Sequence, residues 1–277
     1  MKASVIISTY NAEAWLEKVL FGFSIQIEKD FEIIIADDGS GPKTKELIDQ
    51  MRTKISNPII HVWHADNGFQ KTRILNKAII SANSDYLIFT DGDCIPRNDF
   101  VAVHINNREK GYFLSGGYFK LPMTVSKVIT EEDIVSQRCF DVKWLLHHGL
   151  KKSYKNSKIS SSKFKSRILN ALTPTNASWN GHNASGWKND LIAVNGFNQE
   201  MQYGGEDREL GERLCNMGLK SKQIRYSAIC IHLDHSRGYV NAAALEKNKA
   251  IRKFTNLNKI VRSPNGMDAV LKLLIIF

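Results

Sequence analysis

Several short stretches of this chain carry acids where a phosphate-bearing ligand and a reacting hydroxyl could both be handled. Asp91-Gly92-Asp93 sets two carboxylates on a tight turn directly after an apolar run. Such a pair can hold a hard divalent cation, which in turn neutralises a pyrophosphate. Taken alone, the triplet equally suits a surface turn, where Asp and Gly are favoured for backbone reasons. Asp37-Asp38-Gly39-Ser40 repeats the arrangement after a second apolar run, and Ser8-Thr9-Tyr10-Asn11 ends a third. Downstream, Tyr203-Gly204-Gly205-Glu206-Asp207 sets two acids after a glycine pair, and His232-Leu233-Asp234-His235 adds two imidazoles. A carboxylate can take the proton of an attacking hydroxyl. Two acids at a helix start also satisfy the helix dipole with no chemistry at all.

The elements that must position these residues follow from periodicity. Residues 3–8, 31–36, 59–63 and 86–89 are short β-branched or apolar runs, while 12–23, 43–55 and 72–82 carry apolar residues at helical spacing. Buried strands alternating with helices predict an α/β fold whose parallel sheet is covered on both faces. Ligands of such sheets sit beyond the carboxyl ends of the strands, where all three polar stretches of the first half fall. The second half predicts an exposed polar excursion at 151–167, a turn at Asn195-Gly196, a helix at 205–214 and a strand at 227–233. A mostly helical stretch at 239–260 and a short apolar end at 270–277 follow.

Charge is concentrated. The 277 residues hold 38 Lys and Arg against 28 Asp and Glu, a net +10. Nine of those basic residues lie between Val142 and Asn189, where there is no acid, so the remainder is nearly neutral with 29 against 28. Phe164, Ile168, Leu169 and Leu172 recur at helical spacing among Lys163, Lys165 and Arg167, the pattern of an interfacial helix. Anionic bilayers attract such segments by ~1 kcal/mol per basic residue near the surface. Nucleic acid is the rival partner, but no RNA- or DNA-binding motif or aromatic platform accompanies the lysines. The N-terminus lacks a signal-peptide pattern, and no window approaches the roughly 18 apolar residues of a membrane span. Cys94, Cys139, Cys215 and Cys230 lack zinc spacing. A cytoplasmic chain, peripheral on the inner face of the cell membrane, is the expectation.

The order of these motifs over residues 3–240 resembles the inverting nucleotide-sugar glycosyltransferases of glycosyltransferase family 2. Residues 183–214, NASGWKNDLIAVNGFNQEMQYGGEDRELGERL, also resemble the C-terminal region of galactosyltransferase-type enzymes and chondroitin-polymerase domains. The resemblance implies a Rossmann-like GT-A domain at 1–240, with a mixed, mostly parallel sheet flanked by helices. Residues 1–100 would form its nucleotide-binding half and 101–240 its acceptor half, with the basic excursion at 142–189. Residues 241–277 would be a helical extension. It also implies site roles. Thr9 and Tyr10 would line the uridine pocket, and Asp38, with Asp37 beside it, would accept from the uracil N–H. Arg73 in NGFQKTRILNKAI would lie near the diphosphate, although the residues after it depart from the family pattern. Asp91 and Asp93 would bind Mn2+ or Mg2+ together with His235, His232 being the fallback. Asp207 would be the general base and Glu206 an acceptor contact. Trp187 would pack on the acceptor sugar, Asn183 would face the donor, and Trp179 would be core. The expected reaction takes sugar from UDP-Gal, UDP-GalNAc or UDP-GlcNAc to a glycan or lipid-linked acceptor in cell-surface polysaccharide synthesis. A non-catalytic module binding anionic polymer or membrane and a retaining transferase are the alternatives.

Overall fold

Alternation of apolar runs with helical spacing builds the first half of the chain. In the computed structural model described here, β1 (Ala3–Thr9), α1 (Glu13–Ser24), β2 (Phe31–Asp37), α2 (Pro42–Lys54), β3 (Ile59–Trp63), α3 (Lys71–Ser81) and β4 (Tyr86–Asp91) follow in turn. The structure describes residues 1–159, 163–173, 177–236, 238 and 240–268; Tyr239 and the apolar end at 270–277 lie outside them. The strands read as continuous apolar runs because helices cover both faces. Val5, Ile7, Ile33 and Ile35 join the cluster that contains α1 and α2 side chains, while Ile6, Ile34, Leu87 and Phe89 join that of α3. The period of two along each strand thus serves two cores rather than one.

The remaining elements are β5 (Cys94–Pro96), α4 (Phe100–Asn107), β6 (Tyr112–Ser115), β7 (Phe119–Lys120), α5 (Met123–Val128), α6 (Glu131–Val135), α7 (Val142–His147), α8 (Lys163–Ala171), β8 (Ala184–Trp187), α9 (Lys188–Ala193), α10 (Glu206–Asn216), β9 (Lys220–Gln223), β10 (Cys230–His232) and α11 (Ala242–Leu257). A seven-stranded sheet has the order β3-β2-β1-β4-β8-β6-β9. It is mixed and mostly parallel: β8 runs antiparallel to both β4 and β6, and the other pairs are parallel. A second sheet, β5-β10-β7, sets His232 opposite Cys94.

Two local outcomes differ from the sequence expectation. The strand expected at 227–233 is reduced to β10, because Ser227 and Ala228 both donate backbone bonds to Ile224 and turn the chain there. The excursion expected as a loop at 151–167 holds a 3-10 turn at Tyr154–Lys158 and the start of α8. Asn170 of α8 anchors it, donating to Ser227 and accepting from the Tyr226 N–H.

One buried ion pair joins the C-terminal helices. Arg213 of α10, fully buried, donates from Nε to both oxygens of Glu209 and from its two Nη atoms to the carbonyls of Val194 and Gly196. Thr255 of α11 donates to the same Glu209 at 3.1 Å. Each of the three guanidinium nitrogens has an acceptor, so the desolvation of the pair is offset by geometry. Replacing Arg213 by Leu leaves Glu209 buried and unpaired; urea denaturation at pH 7 should show a loss of about 3–5 kcal/mol.

Candidate active site

The parallel register brings the polar strand ends to one rim. Thr9 pairs with Asp37 across β1 and β2, and Ser8 pairs with Asp91 across β1 and β4. Below this rim opens a cleft of about 2000 Å³, whose walls include Thr9, Tyr10, Asp38, Lys71, Asp91, Asp93, Tyr118, His182, Glu206, Asp207, His232 and His235.

At one end, Tyr10 stands half exposed, its hydroxyl donating 2.9 Å to Asp66. Thr9 is buried with its Oγ1 unpartnered, beside Gly92. Asp38 accepts from His64 Nε2 at 2.8 Å and from the Gln70 N–H at 2.9 Å, which fixes its carboxylate in the wall. An exposed aromatic beside a fixed carboxylate offers a stacking surface and an acceptor, the two features a planar base needs.

At the centre, Asp93 lies between two imidazoles. Its Oδ2 is 3.0 Å from His235 Nε2 and 3.5 Å from His232 Nε2, and the two rings stack with centroids 5.4 Å apart. His232 Nδ1 is buried without a partner. The ligand atoms of Asp93, Cys94 and His232 all lie within 4.8 Å of one another. Burial, the neighbouring Cys230 and the Asp93 charge push the Cys94 thiol well above its ordinary value. With His235 beside Asp93, the site offers carboxylate, thiol and imidazole donors, a mixed set that suits Mn2+ better than a purely hard cation. Asp91 is turned elsewhere. Its Oδ1 accepts from Lys71 Nζ and Ser8 Oγ, both at 2.7 Å. Burial alone would raise its pKa, but the Lys71 charge and these two bonds hold it well below the carboxylate range.

At the floor stand Glu206 and Asp207, the first residues of α10. Gly204 and Gly205 both take positive φ (109° and 96°), the left-handed backbone that glycine tolerates. Glu206 accepts from the Gly204 N–H at 2.7 Å. Asp207 presses on Gly181, where a Cβ would come within 2.6 Å of both carboxylate oxygens, and its Oδ1 is buried without a partner. Burial raises the Asp207 pKa to about 7; the Glu206 and Asp91 charges push it up and Lys71 pulls it down. Nearby His182 is pushed down to about 4 by burial and stays neutral. The arrangement supplies a carboxylate whose affinity for a proton is raised above the ordinary carboxylate range, a property that suits a general base.

Four residues expected at the site are not brought to the cleft. Trp187 lies at the far rim: β8 runs antiparallel to β4, so its four residues carry the chain to Tyr86 at the amino end of that strand. There the indole N–H donates to the Glu109 carbonyl and Lys110 Nζ sits 3.5 Å over the ring. Asn183 is fully buried, donating to the carbonyls of Gly117 and Ala228 and facing His104 Nε2 at 3.0 Å. Asp37 is buried against His61 and the Ser40 N–H. Arg73 lies outside the cleft on α3, close enough to Lys77 to lower that ammonium's pKa after burial has done so. Trp179 is fully buried against Phe89 and Phe113.

The cation of the cleft centre is Lys71 instead, two residues before Arg73. A lysine opening a helix opposes the dipole, and that local misfit was the available sign that a counter-charge awaits it. Tyr118 and His182, packed edge to face at 4.5 Å, carried no motif signal.

Residues 4–141 match the family model of glycosyl transferase family 2, and residues 175–236 match that described as the N-terminal domain of galactosyltransferase. The chain is a glycosyltransferase with a family 2 domain. Among curated relatives, the uncharacterized glycosyltransferase YfnE of Bacillus subtilis is 24% identical, covering 94% of this transferase and 72% of YfnE. Chondroitin synthase of Escherichia coli is 24% identical over 80% of the transferase, which spans only 33% of that relative's length. TarS 1–349 of S. aureus in complex with UDP-GlcNAc superposes with a TM-score of 0.61 at 17% identity, over 97% of the transferase and 69% of that chain. The mannosyltransferase PcManGT of Pyrobaculum calidifontis, solved with GDP-Man and Mn2+, gives 0.57 at 17% identity, over 93% and 62%. These likenesses establish the transferase's GT-A fold.

Lys71 holds the Asp207 pKa down, so removing its charge must raise it. For Lys71→Met, the rise of kcat/KM with pH should move to higher pH. The rate should fall several-fold at pH 7 and recover in part as pH increases; steady-state UDP release across a pH series checks this.

Proposed function

We propose that the cleft transfers a sugar from a UDP-sugar to a hydroxyl with inversion at the anomeric carbon. The observation that carries this is the Asp207 carboxylate, lining the cleft floor with Oδ1 buried and unpartnered, beside Lys71 and near Asp91. In-line attack needs a base to take the hydroxyl proton and a means to stabilise the departing diphosphate. Asp207 takes the proton as the acceptor oxygen bonds to the anomeric carbon and the bond to the diphosphate breaks. Glu206, held by the Gly204 N–H, stands beside it as the acceptor contact. Asp93, His235 and His232 would hold Mn2+ or Mg2+, which supplies positive charge to the leaving diphosphate. Thr9, Tyr10 and Asp38 line the nucleoside end.

A family 2 domain and a GT-A neighbour solved with UDP-GlcNAc support a UDP donor carrying GlcNAc, GalNAc or Gal. The galactosyltransferase match and the chondroitin synthase relative support a glycan acceptor, free or lipid-linked, in surface polysaccharide synthesis. The direct test is UDP release with Mn2+ or Mg2+ and each of these donors; neither turnover nor UDP binding with either metal would overturn the reading. Asp207→Asn should lower transfer by at least about 10²-fold while UDP still binds with Mn2+. The same variant should melt higher at pH 8. The folded pKa of Asp207 lies above its unfolded value near 4, so its ionisation costs stability as pH rises between the two, and Asn removes that cost.

Work at the inner face of an anionic membrane completes the proposal. No helix among the described residues is long and apolar enough to cross a membrane. On α8, Phe164 and Ile168, followed by Leu172, are exposed at four-residue spacing beside Lys165 and Arg167. Co-flotation with phosphatidylglycerol vesicles, absent with phosphatidylcholine and lost in Phe164→Ser/Leu172→Ser, is the expected result.

A further inference from the structure

The wall of the cleft made by Gly117, Tyr118, residues 151–158 and the segment after β9 is basic, and two of its cations are held together without a counter-charge. Lys158 Nζ and Arg225 Nε lie 3.4 and 3.8 Å from the point where a Cβ on Gly117 would stand. A bare glycine backbone therefore lets both approach one spot. Lys158 donates to the Tyr118 carbonyl at 3.3 Å, and Arg225 Nε is buried without a hydrogen-bond partner. Neighbouring Lys120 has Asp234 at 3.1 Å, whereas neither Lys158 nor Arg225 has a carboxylate partner among the described residues. Burial lowers the Lys158 pKa and the adjacent guanidinium lowers it further. Holding this pair together costs free energy that an arriving anion would offset.

Both side chains line the cleft, together with Lys151 and Lys155. Tyr118 marks their distance from the reaction centre. Its ring contacts His182 at 4.5 Å and His232 at 5.1 Å, while its carbonyl holds Lys158. One residue thus stands between the Asp93–histidine end, where the donor diphosphate is placed, and the cation pair.

We propose that Lys158 and Arg225 form a subsite for an oxyanion, a phosphoryl or carboxylate group, carried by the acceptor. The guanidinium offers paired donors to either oxyanion and the ammonium adds a point charge. The acceptor class is then an anionic glycan, with its charged group beyond Tyr118 from the hydroxyl that reacts. This assignment rests on the cleft being the transfer site.

The test uses the full chain and two probes, glycerol 1-phosphate and glucuronate, with binding followed by ligand-observed NMR. UDP affinity in Mn2+ is measured on the same samples. Wild type should bind at least one probe in a salt-dependent manner, the tighter probe naming the group. Lys158→Gln/Arg225→Gln should weaken that binding by at least about tenfold and change UDP affinity less than about twofold. Binding of neither probe to wild type, or binding unaffected by the substitutions, overturns the subsite. A parallel loss of UDP affinity also overturns it, because the pair would then serve the donor. If the double variant does not fold, Lys158→Gln alone decides, since that side chain makes one backbone bond. Failure of UDP to bind wild type would instead count against the transferase reading of the cleft, so the two failures are distinct.

Discussion

The site depends on the parallel register of β1 between β2 and β4. Because Thr9 stands opposite Asp37 and Ser8 opposite Asp91, the three strands end level and release their polar residues at one rim. Buried strands covered on both faces cannot slip by one residue without sending every apolar side chain to the wrong core. Packing of Ile6 and Ile34 against α3, and of Val5 and Ile33 against α1 and α2, therefore sets where the acids emerge. The chemistry at the rim inherits its precision from apolar contacts well below it.

Electrostatics then divides the cleft. Asp91, Glu206 and Asp207 converge on one ammonium, Lys71, whose own pKa is carried well above its ordinary value by these three charges despite burial. Asp91, hydrogen-bonded to Lys71 and Ser8, takes the larger share of stabilisation and is ionised. Asp207, half-buried with one oxygen left unpartnered, is a weaker acid than Asp91. Environment shifts two like carboxylates in opposite directions, Asp91 held as a fixed charge and Asp207 with its proton affinity raised. On the wall beyond Tyr118 the sign reverses, and Lys158 and Arg225 gather over Gly117. The basic excursion is thus more than a solvated face: part of it is built into the cleft.

Much of this was legible in the chain. Continuous apolar runs ending in Asp-rich turns specify buried parallel strands, and the glycine pair before Glu206-Asp207 specifies a left-handed entry into a helix. What misled was proximity in sequence. Arg73 and Lys71 share a helix turn, yet a two-residue offset rotates them about 200° apart, so one reaches Asp91 and the other does not. Trp187 follows Asn183 by four residues, but in an extended strand that carries it roughly 13 Å, to the other rim. Asp37, the last residue of β2, turns its carboxylate to His61 and the Ser40 N–H, whereas Asp38 beyond the strand end lines the cleft.

By itself the sequence determined the α/β alternation, the rim on which the acids lie and the kinds of group available for transfer chemistry. These are local properties, written in hydrophobic period and turn chemistry over a few residues each. The tertiary structure alone decided that Lys71 neutralises Asp91, that Asp207 packs against Gly181, that both histidines reach Asp93, and that Lys158 meets Arg225. Each of those joins residues from distant parts of the chain. Their charges and pKa values depend on distance and burial in three dimensions, which no spacing along the sequence encodes.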